Sequence, residues 1–454
     1  MNLSAGRVAS GARPRVSVSR NSAFGLLGFL VPTAIIFAAY PVLVKGLGLE
    51  ALGVYFLATS VSGALAFLDV GFSAATVKFV AEDLAEGKLQ DASDVIGASI
   101  LFYSGLGLFC AGVLWLLSPL LVNSYFKVNP ALHDAAILSF RLAALQFAAF
   151  LSTTVFISIF KGMQKFHLSA VILSLLSIGT YGGAVAVVLF FHGGLAEVTL
   201  ASLLANVAVL AVSVVLSLQL CHSVGIHLSA ARPKWVTFKR MFSFGSLMTL
   251  NQISALCLNQ VQKFLIGAWL SPAAVTIWQT ATMPPSKVHA AVNSFTEVMF
   301  PMSSAIKDRD RLRSIYRKML GGSLLLALAA FGPFLLLQKY LIGFWMRGAD
   351  PEQVTKLIPT LVVAYFFLAL SPAPYHLLNG IGKPWVNTIF ATVNAVVNIL
   401  CIALFRIQGI SLIQFAWALA IANSVTSIGY QLTVEFYVWR KLMTDETVPA
   451  KIYL

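Results

Sequence analysis

The chain has 454 residues, of which 58% are hydrophobic and only 11% are charged, and its mean hydropathy is +0.85. A soluble protein is nearer to about 50% apolar and about 25% charged residues. This composition excludes a large soluble core and predicts a membrane protein with many spans. The net charge of +14 does not indicate nucleic-acid binding, because the basic residues are spread over many loops and no basic and aromatic module stands apart.

Twelve long apolar segments follow one another along the chain, each long enough to cross a hydrocarbon core of about 30 Å as a helix. In the first half they are Ser22–Val44, Leu52–Val77, Val95–Val122, Ala136–Phe160, Leu168–Phe191 and Ala196–Leu220. In the second half they are Met241–Leu265, Ala274–Phe300, Leu320–Trp345, Thr355–Leu378, Val386–Phe405 and Leu412–Trp439. We therefore predict an all-α protein with about twelve transmembrane helices.

Lys and Arg are concentrated in the loops on one side of these segments. The loops on that side hold four leader arginines, Lys78, Lys88, Lys161, Lys165, Arg232, Lys234, Lys239, Arg240, the run from Lys307 to Lys318, Lys383, Arg440, Lys441 and Lys451. Because cytoplasmic loops carry the excess of basic residues, both termini are predicted to be cytoplasmic. The predicted organisation is a basic leader (1–21), an N-terminal six-helix lobe (22–220), a basic linker (221–240), a C-terminal six-helix lobe (241–440) and a tail (441–454).

Short matches between the two halves indicate a duplication. Phe160–Lys165 (FKGMQK) precedes the fifth segment, and Leu378–Lys383 (LNGIGK) precedes the eleventh. Glu50–Tyr55 opens the second segment, and Ala273–Trp278 opens the eighth. Both pairs are separated by six helices, so the two halves would share one orientation and be related by a pseudo-two-fold axis along the membrane normal. Such repeats place the substrate site between the lobes, near the midplane.

Three cations lie within or at the rim of apolar segments, namely Lys287, Lys263 and Arg141. A Lys or Arg at the centre of a lipid-facing helix costs about 3 kcal/mol on insertion scales. Such residues therefore usually face a bundle interior or a water-filled cavity. A cation-lined cavity favours an anionic cargo, so these three are candidate substrate-binding residues.

Amide side chains form stripes on two helices. Gln252, Asn259 and Lys263 recur at i, i+7 and i+11, which places them on one face of the seventh segment. The eleventh segment repeats this spacing with Asn387, Asn394 and Asn398. Membrane helices also use single Asn and Gln residues for helix-to-helix hydrogen bonds. Three aligned on one helix favour a wet cavity, so all of them are candidate cavity residues.

Two acids and two prolines are candidates for coupling or gating. Asp69 and Glu297 fall late in their segments, where each could pair with a loop cation or act as a coupling carboxylate. Pro284 and Pro285 interrupt the eighth segment, and a proline removes a backbone hydrogen bond. A hinge and an ordinary membrane-helix proline both remain open readings.

The sequence carries no enzyme signature, since HExxH, GxSxG and Walker patterns are absent and no loop is long enough for a catalytic domain. The four cysteines, Cys110, Cys221, Cys257 and Cys401, are scattered without metal-ligand or disulfide spacing. We therefore predict neither an enzyme, nor a metal site, nor a cofactor.

Several stretches resemble Wzx-type polysaccharide flippases of the multidrug/oligosaccharidyl-lipid/polysaccharide exporter superfamily. They are Gly48–Tyr55, Phe67–Val80, Phe160–Lys165, Phe244–Gly245 leading to Phe264–Ser271, and Phe300–Pro301. The resemblance spans nearly the whole chain through short motifs. The second copy departs from the family pattern, with Thr276 in place of the usual glycine and Trp278 in place of the tyrosine.

This resemblance implies two six-helix lobes around a central cavity that opens alternately to either side of the bacterial inner membrane. The implied cargo is an undecaprenyl-diphosphate-linked oligosaccharide for a surface polysaccharide such as O-antigen or exopolysaccharide. Cavity cations would engage the diphosphate, and Lys287, Lys263 and Arg141 are the positions available. Membrane lipids and the polysaccharide polymerase machinery are the implied partners.

Three alternatives remain at this point. The nearest is a cation-coupled multidrug exporter of the same fold, although exporters of cationic drugs favour acids in the cavity. A lipid II flippase would more often carry additional helices. A membrane-embedded glycosyltransferase or polymerase would need acidic catalytic residues and a sizeable extramembrane loop, and the longest loops, 225–240 and 307–318, are short.

Overall fold

A computed structural model describes residues 18–69, 71–228, 231–243, 260–306, 308–346, 351–407 and 409–442. The described helices of the first half, the N lobe, are α1 (Val18–Ala64), α2 (Phe72–Ala85), α3 (Leu89–Leu120), α4 (His133–Gly162), α5 (Phe166–Ser177), α6 (Gly183–Phe190) and α7 (Leu195–Ser223). A 3-10 segment, Leu65–Asp69, joins α1 to α2, and π-helical turns extend α3 and join α5 to α6. Residues 235–243 are also helical.

The second half, the C lobe, repeats this order. Its described helices are α8 (Gln262–Trp269), α9 (Pro272–Thr296), α10 (Met299–Ala305), α11 (Arg309–Trp345), α12 (Pro351–Ala369), α13 (Pro372–Gly380), α14 (Pro384–Ile407) and α15 (Leu412–Leu432), the last extended by the π-helical segment Thr433–Leu442. Nine of the helices within the described ranges are long and apolar enough to cross a membrane. The prediction of an all-α polytopic membrane protein is confirmed.

The twelve predicted segments map onto these helices with three informative differences. Segments one and two meet within α1 at Gly48, whose φ of 78° and ψ of 169° interrupt an otherwise continuous helix. A positive φ is accessible to glycine without a steric penalty, which explains a joint that lacks a polar loop. Much of segment seven lies outside the described residues. Segment eight, α9, is too polar to count among the nine.

The duplication is visible in two identical turns. After α4, the amides of Met163, Gln164 and Lys165 donate to the carbonyls of Ile159, Lys161 and Phe160. After α13, the amides of Ile381, Gly382 and Lys383 donate to the carbonyls of Leu377, Asn379 and Leu378, which is the same pattern. Gln164 and Gly382 both have positive φ, at 57° and 74°. The FKGMQK and LNGIGK matches therefore encode one turn used twice.

The glycine of each turn also serves one purpose in both halves. A methyl group on Gly162 would lie 3.1 Å from the carbonyl oxygen of Val77 in α2. A methyl group on Gly380 would lie 2.6 Å from the carbonyl oxygen of Phe300 in α10 and would collide with Ser303. Each glycine thus lets a short helix approach the turn closely, and the two lobes share this packing.

The hydrophobic cores show how the lobes meet. One large cluster of buried residues contains side chains from both lobes, including Tyr40 and Leu52 of α1 and Ile277 of α9. Two separate clusters lie at the end that carries the basic loops, one around Phe72 and Phe160 in the N lobe and the other around Leu377 and Trp439 in the C lobe. The shared cluster packs the two lobes together at the opposite end, whereas each lobe has its own core at the basic end.

Candidate functional site

The interface between the lobes is built mainly by α1 against α8 and α9. The Tyr40 hydroxyl hydrogen-bonds with Thr280 Oγ1 at 2.6 Å, and Thr276 Oγ1 donates to the Leu49 carbonyl at 2.8 Å. Gly53 lies directly against the Pro272 carbonyl, where a side chain would not fit. These contacts leave little room for water, so the lobes are closed at this end.

Further contacts reinforce the closed end. Lys127 Nζ donates to the Trp269 carbonyl at 2.6 Å, and Arg406 stacks on the Trp269 ring with its guanidinium 3.9 Å from the ring centre. Trp345 Nε1 donates to the Phe37 carbonyl at 2.8 Å, and the two rings are stacked. Aromatic rings with a polar edge suit this position because they bury large areas while satisfying backbone groups.

Lys287 lies on the face of α9 that turns toward the N lobe. Thr280, seven residues earlier, marks this face because it binds Tyr40 of α1. Seven residues bring a helix back to nearly the same angle about 10 Å farther along. Lys287 is half-buried, and this spacing puts it about two helical turns closer to the basic end than the closed contacts, on the face of α9 turned toward the N lobe; the region between the lobes at this level is here called the cleft. The helix α9 is continuous through Pro284 and Pro285.

Lys263 occupies a different place. It lines a cavity of about 340 Å³ inside the C lobe, here called the C-lobe cavity. The lining residues are Gln262, Lys263, Trp278, Gln279, Thr282, Ser286, His289, Tyr365, Leu368, Leu419 and Asn423. The α9 residues among them lie on average about 130° around the helix axis from Lys287. The C-lobe cavity, which Lys263 lines from α8, is thus bounded by a different face of α9 from the one that carries Lys287.

The N lobe contains a matching cavity of about 380 Å³, here called the N-lobe cavity. Its lining residues are Thr59, Ser62, Gly63, Ala143, Gln146, Phe147, Phe150, Leu176, Ser177, Thr180, Tyr181 and Asn206. When the two halves of the sequence are aligned by the offset of about 220 residues between their repeated motifs, Thr59 corresponds to Thr282, Phe147 to Tyr365 and Asn206 to Asn423. The two cavities are thus repeats of one another, but no charged side chain lines the first.

Arg141 does not line the N-lobe cavity. Its guanidinium lies 5.2 Å from the centre of the Trp115 ring of α3, on the opposite face of α4 from the lining residues Gln146 and Phe150. Its Nε has no hydrogen-bond partner within the described residues. The structure therefore separates all three cations that the sequence singles out.

The amide stripe on α14 is buried and bonded to neighbouring helices. Asn387 Nδ2 donates to Asn379 Oδ1 at 2.7 Å, and Asn394 Nδ2 donates to Asn423 Oδ1 at 3.0 Å. Asn398 Oδ1 accepts from Gln262 Nε2 at 3.1 Å. Asn394 and Asn398 thereby hydrogen-bond to Asn423 and Gln262, two residues that line the C-lobe cavity. Gln252 and Asn259, the other stripe, lie outside the described residues.

The predicted coupling acids are at helix ends. Asp69 accepts from the Tyr103 hydroxyl, from Ser73 Oγ at 2.8 Å and from the Ser73 amide at 3.2 Å, so it caps the start of α2. Glu297 is exposed where α9 ends. Neither carboxylate lines the two lobe cavities.

Cations at the basic end are partly used in ion pairs. Arg240 lies 3.3 Å from Asp83 and stacks on Phe79, while Arg313 and Arg317 lie 2.7 Å and 2.9 Å from Glu435. Burial raises the pKa of Asp83, and the adjacent Arg240 opposes this. These pairs fix helix ends and stand apart from both cavities.

His289 and Gln279 belong to the C-lobe cavity, and sequence reasoning missed both. The signal was present, because Gln279, Thr282, Ser286 and His289 recur at i, i+3, i+7 and i+10 along α9. This polar stripe lies on a different face of α9 from Thr280 and Lys287. The helix thus has two polar faces, one toward the cleft and one toward the C-lobe cavity.

Comparison with known proteins agrees with this architecture. The chain is 24% identical over 374 residues to the "Putative O-antigen transporter" of Shigella flexneri, covering 82% of this chain and 87% of that protein. A multidrug resistance MATE family transporter of the MOP superfamily, solved in an inward-facing conformation, superposes with a TM-score of 0.76 at 18% identity, covering 93% of this chain and 99% of that one.

An outward-facing conformation of a MATE family transporter gives a TM-score of 0.61 at 18% identity, over 94% of this chain and 95% of that chain. The fold is therefore that of this transporter superfamily, and the resemblance seen in the sequence is confirmed. A family model described as "Polysaccharide biosynthesis protein" matches residues 18–307. Because that match covers well over half of the chain, the protein belongs to the polysaccharide biosynthesis protein family.

Proposed function

We propose that this protein carries the head group of an undecaprenyl-diphosphate-linked oligosaccharide across the bacterial inner membrane, from the cytoplasmic to the periplasmic leaflet, for surface polysaccharide synthesis. The proposal is carried by the half-buried Lys287, which helical spacing from Thr280 assigns to the N-lobe-facing side of α9, between the closed contacts and the basic end. The relative named as an O-antigen transporter supports the class of cargo. The concentration of Lys and Arg in the loops of the basic end supports its assignment to the cytoplasm.

The physical case rests on the cost of moving a diphosphate through hydrocarbon. An isolated anion faces a desolvation penalty of many kcal/mol, whereas a hydrated cleft with an ammonium group offers charge pairing and hydrogen-bond donors. The lipid tail can stay in the bilayer while only the head group passes between the lobes. Alternating closure of the two ends would then move the head group from one leaflet to the other.

The alternative, a multidrug exporter, is less compatible with the charges. No Asp or Glu occurs between Glu197 and Glu297, or between Glu352 and Glu435, and these ranges include most of the C-lobe helices. Cationic drugs would need an acid in the transport path. The cleft and the C-lobe cavity instead present Lys287 and Lys263.

The test is deletion of the gene, followed by mass spectrometry of undecaprenyl-diphosphate-linked glycans and complementation. We expect repeat units to accumulate and surface polysaccharide to be lost. Lys287→Ala should fail to restore export, Lys287→Arg should restore part of it because the charge returns, and Lys339→Ala should restore it fully because Lys339 is exposed on α11.

Membrane levels of each variant, measured by immunoblot, separate lost transport from lost protein. An unchanged pool of lipid-linked glycan together with altered drug sensitivity would refute the proposal in favour of the exporter. Normal export by a well-expressed Lys287→Ala variant would remove Lys287 from the transport path.

A further inference from the structure

The C-lobe cavity holds a lysine that the proposed transport path does not use. Lys263 reaches the cavity from α8, and the lining residues all belong to the C lobe. The cavity is separated from Lys287 by the body of α9, because its α9 residues face away from the cleft. A role for Lys263 must therefore be sought inside the lobe.

Lys263 has no protein counter-charge in the part of the chain that the structure describes. None of the observed ion pairs includes it, and the cavity wall contains no carboxylate. The lining residues of the C-lobe cavity all fall within residues 198–296 and 353–434, and the sequence contains no Asp or Glu in either range. Lys263 is half-buried, and a partly desolvated ammonium without a protein counter-charge gains from pairing with an anion from solution.

Most other polar groups of the wall are already engaged. The hydroxyls of Thr282 and Ser286 donate to carbonyls of their own helix, and Asn423 Nδ2 donates to the Ala364 carbonyl at 3.0 Å. His289 has a buried Nδ1 without a hydrogen-bond partner within the described residues. Lys263, His289 and the Gln279 amide are therefore the groups we take as available to a ligand.

The size of the cavity limits the ligand. A volume of about 340 Å³ corresponds to roughly ten water molecules at about 30 Å³ each. A small hydrated anion fits this space, but a lipid-linked oligosaccharide does not. Trp278 and Tyr365 contribute aromatic rings to the cavity wall.

We propose that the C-lobe cavity binds one small inorganic anion of about the size of chloride, with the Lys263 ammonium as its counter-charge. The repeat-related N-lobe cavity is neutral and carries no such site. The anion is separate from the transported head group and pairs with a half-buried ammonium that has no protein counter-charge among the described residues.

The experiment measures equilibrium binding of radiolabelled chloride to the purified full-length protein by scintillation proximity, with gluconate replacing chloride at constant ionic strength. The wild type should bind close to one chloride per chain in a saturable manner. Lys263→Gln should weaken binding at least tenfold, and Lys263→Arg should retain it because the charge is kept. Lys339→Gln, which removes one exposed charge, and Lys287→Gln, which alters the cleft, should both bind as the wild type does.

Thermal unfolding and gel filtration confirm that each variant is folded. Unlabelled phosphate added as a competitor distinguishes the two common inorganic anions, since displacement at lower concentration than unlabelled chloride would reassign the site to phosphate and overturn the chloride-sized assignment. Absence of saturable binding in the wild type would mean that Lys263 is neutral and would overturn the proposal. Unaltered binding by Lys263→Gln would overturn it as well. Loss of binding in Lys287→Gln would show that the two sites are one.

Discussion

The two lobe cavities have the same frame and different charge. Thr59 and Asn206 of the N-lobe cavity correspond to Thr282 and Asn423 of the C-lobe cavity, so helix packing has been kept through the duplication. The described lining of the first is neutral, whereas the second contains Lys263 and His289. The same asymmetry reaches the cleft, since the shift that aligns Glu50–Tyr55 with Ala273–Trp278 places Ala64 opposite Lys287.

This difference indicates how a duplicated bundle can specialise. The glycines and capping residues that set helix packing are repeated, as in the N-terminal caps of α7 and α15, where Glu197 and Gln414 bond back to the amides of Gly194 and Ser411. Polar residues that face water-filled space are free to change, because they do not determine the fold. Among the described residues, a lysine lines the cavity of one copy and no charged side chain lines that of the other.

The largest effect is expected when a lysine is placed in the N-lobe cavity, which tests whether the charge difference between the two cavities matters. Gln146 lines the N-lobe cavity and has a buried Oε1 without a partner. Gln146→Lys should destabilise the protein by about 3 kcal/mol, because no carboxylate lines that cavity. Gln146→Met, which has similar length without charge, is the matched control and should cost less than about 1 kcal/mol.

Thermal unfolding of both variants in lipid nanodiscs gives the comparison. Equal stability of the lysine and methionine variants would show that the N-lobe cavity tolerates a charge as readily as the C-lobe cavity does. New chloride binding in Gln146→Lys would show that any lysine in this frame creates an anion site. In either case the charge difference between the lobes would lose its significance.

The next effect tests the shared frame itself. Gly380→Ala should destabilise the protein by about 1–3 kcal/mol, because the new methyl group overlaps Ser303 and approaches the Phe300 carbonyl. Gly162→Ala should cost less, since its closest contacts, with Val77 and Val80, are at 3.0–3.1 Å. Gly105→Ala on α3 meets open space and should be neutral or stabilising by up to about 1 kcal/mol.

Unfolding temperatures of the three alanine variants in one detergent provide this test. The expected order of stability is Gly105→Ala highest, Gly162→Ala intermediate and Gly380→Ala lowest. If Gly380→Ala matched the wild type, the close approach of α10 to the turn would not be a packing constraint.

Much of this architecture follows from the sequence, because hydropathy and helical period report burial directly. The twelve segments, the repeated turn and the polar faces of α9 can all be read from residue spacing. Spacing does not say which neighbour a face meets, however. Lys263 and Lys287 looked like members of one cavity, yet α9 stands between them. The sequence also predicts the break between segments one and two, but not its form, a single glycine with positive φ inside α1.

The smallest effect compares the two equivalent asparagines. Asn423 Nδ2 donates to the Ala364 carbonyl on α12, and its Oδ1 accepts from Asn394 on α14, so Asn423→Leu removes two hydrogen bonds between helices. Asn206 Nδ2 donates mainly to the Ser202 carbonyl of its own helix at 2.8 Å, and that carbonyl retains its place in the helix when the side chain is lost. Because one intramolecular hydrogen bond contributes about 0.5–1.5 kcal/mol, Asn423→Leu should be more destabilising than Asn206→Leu by about 1 kcal/mol.

Unfolding of the two leucine variants, alone and combined with Asn394→Leu, measures this difference. Asn394→Leu should offset part of the cost of Asn423→Leu, because it removes the second half of the same hydrogen bond, and should leave the cost of Asn206→Leu unchanged. Equal losses of stability in the two single variants would mean that the hydrogen bonds of Asn423 to neighbouring helices contribute no more than those of Asn206. A larger cost at Asn423 would show that the copy carrying the charges has also acquired a more extensive hydrogen-bond network behind its cavity wall, as a lobe that must hold a lysine in place requires.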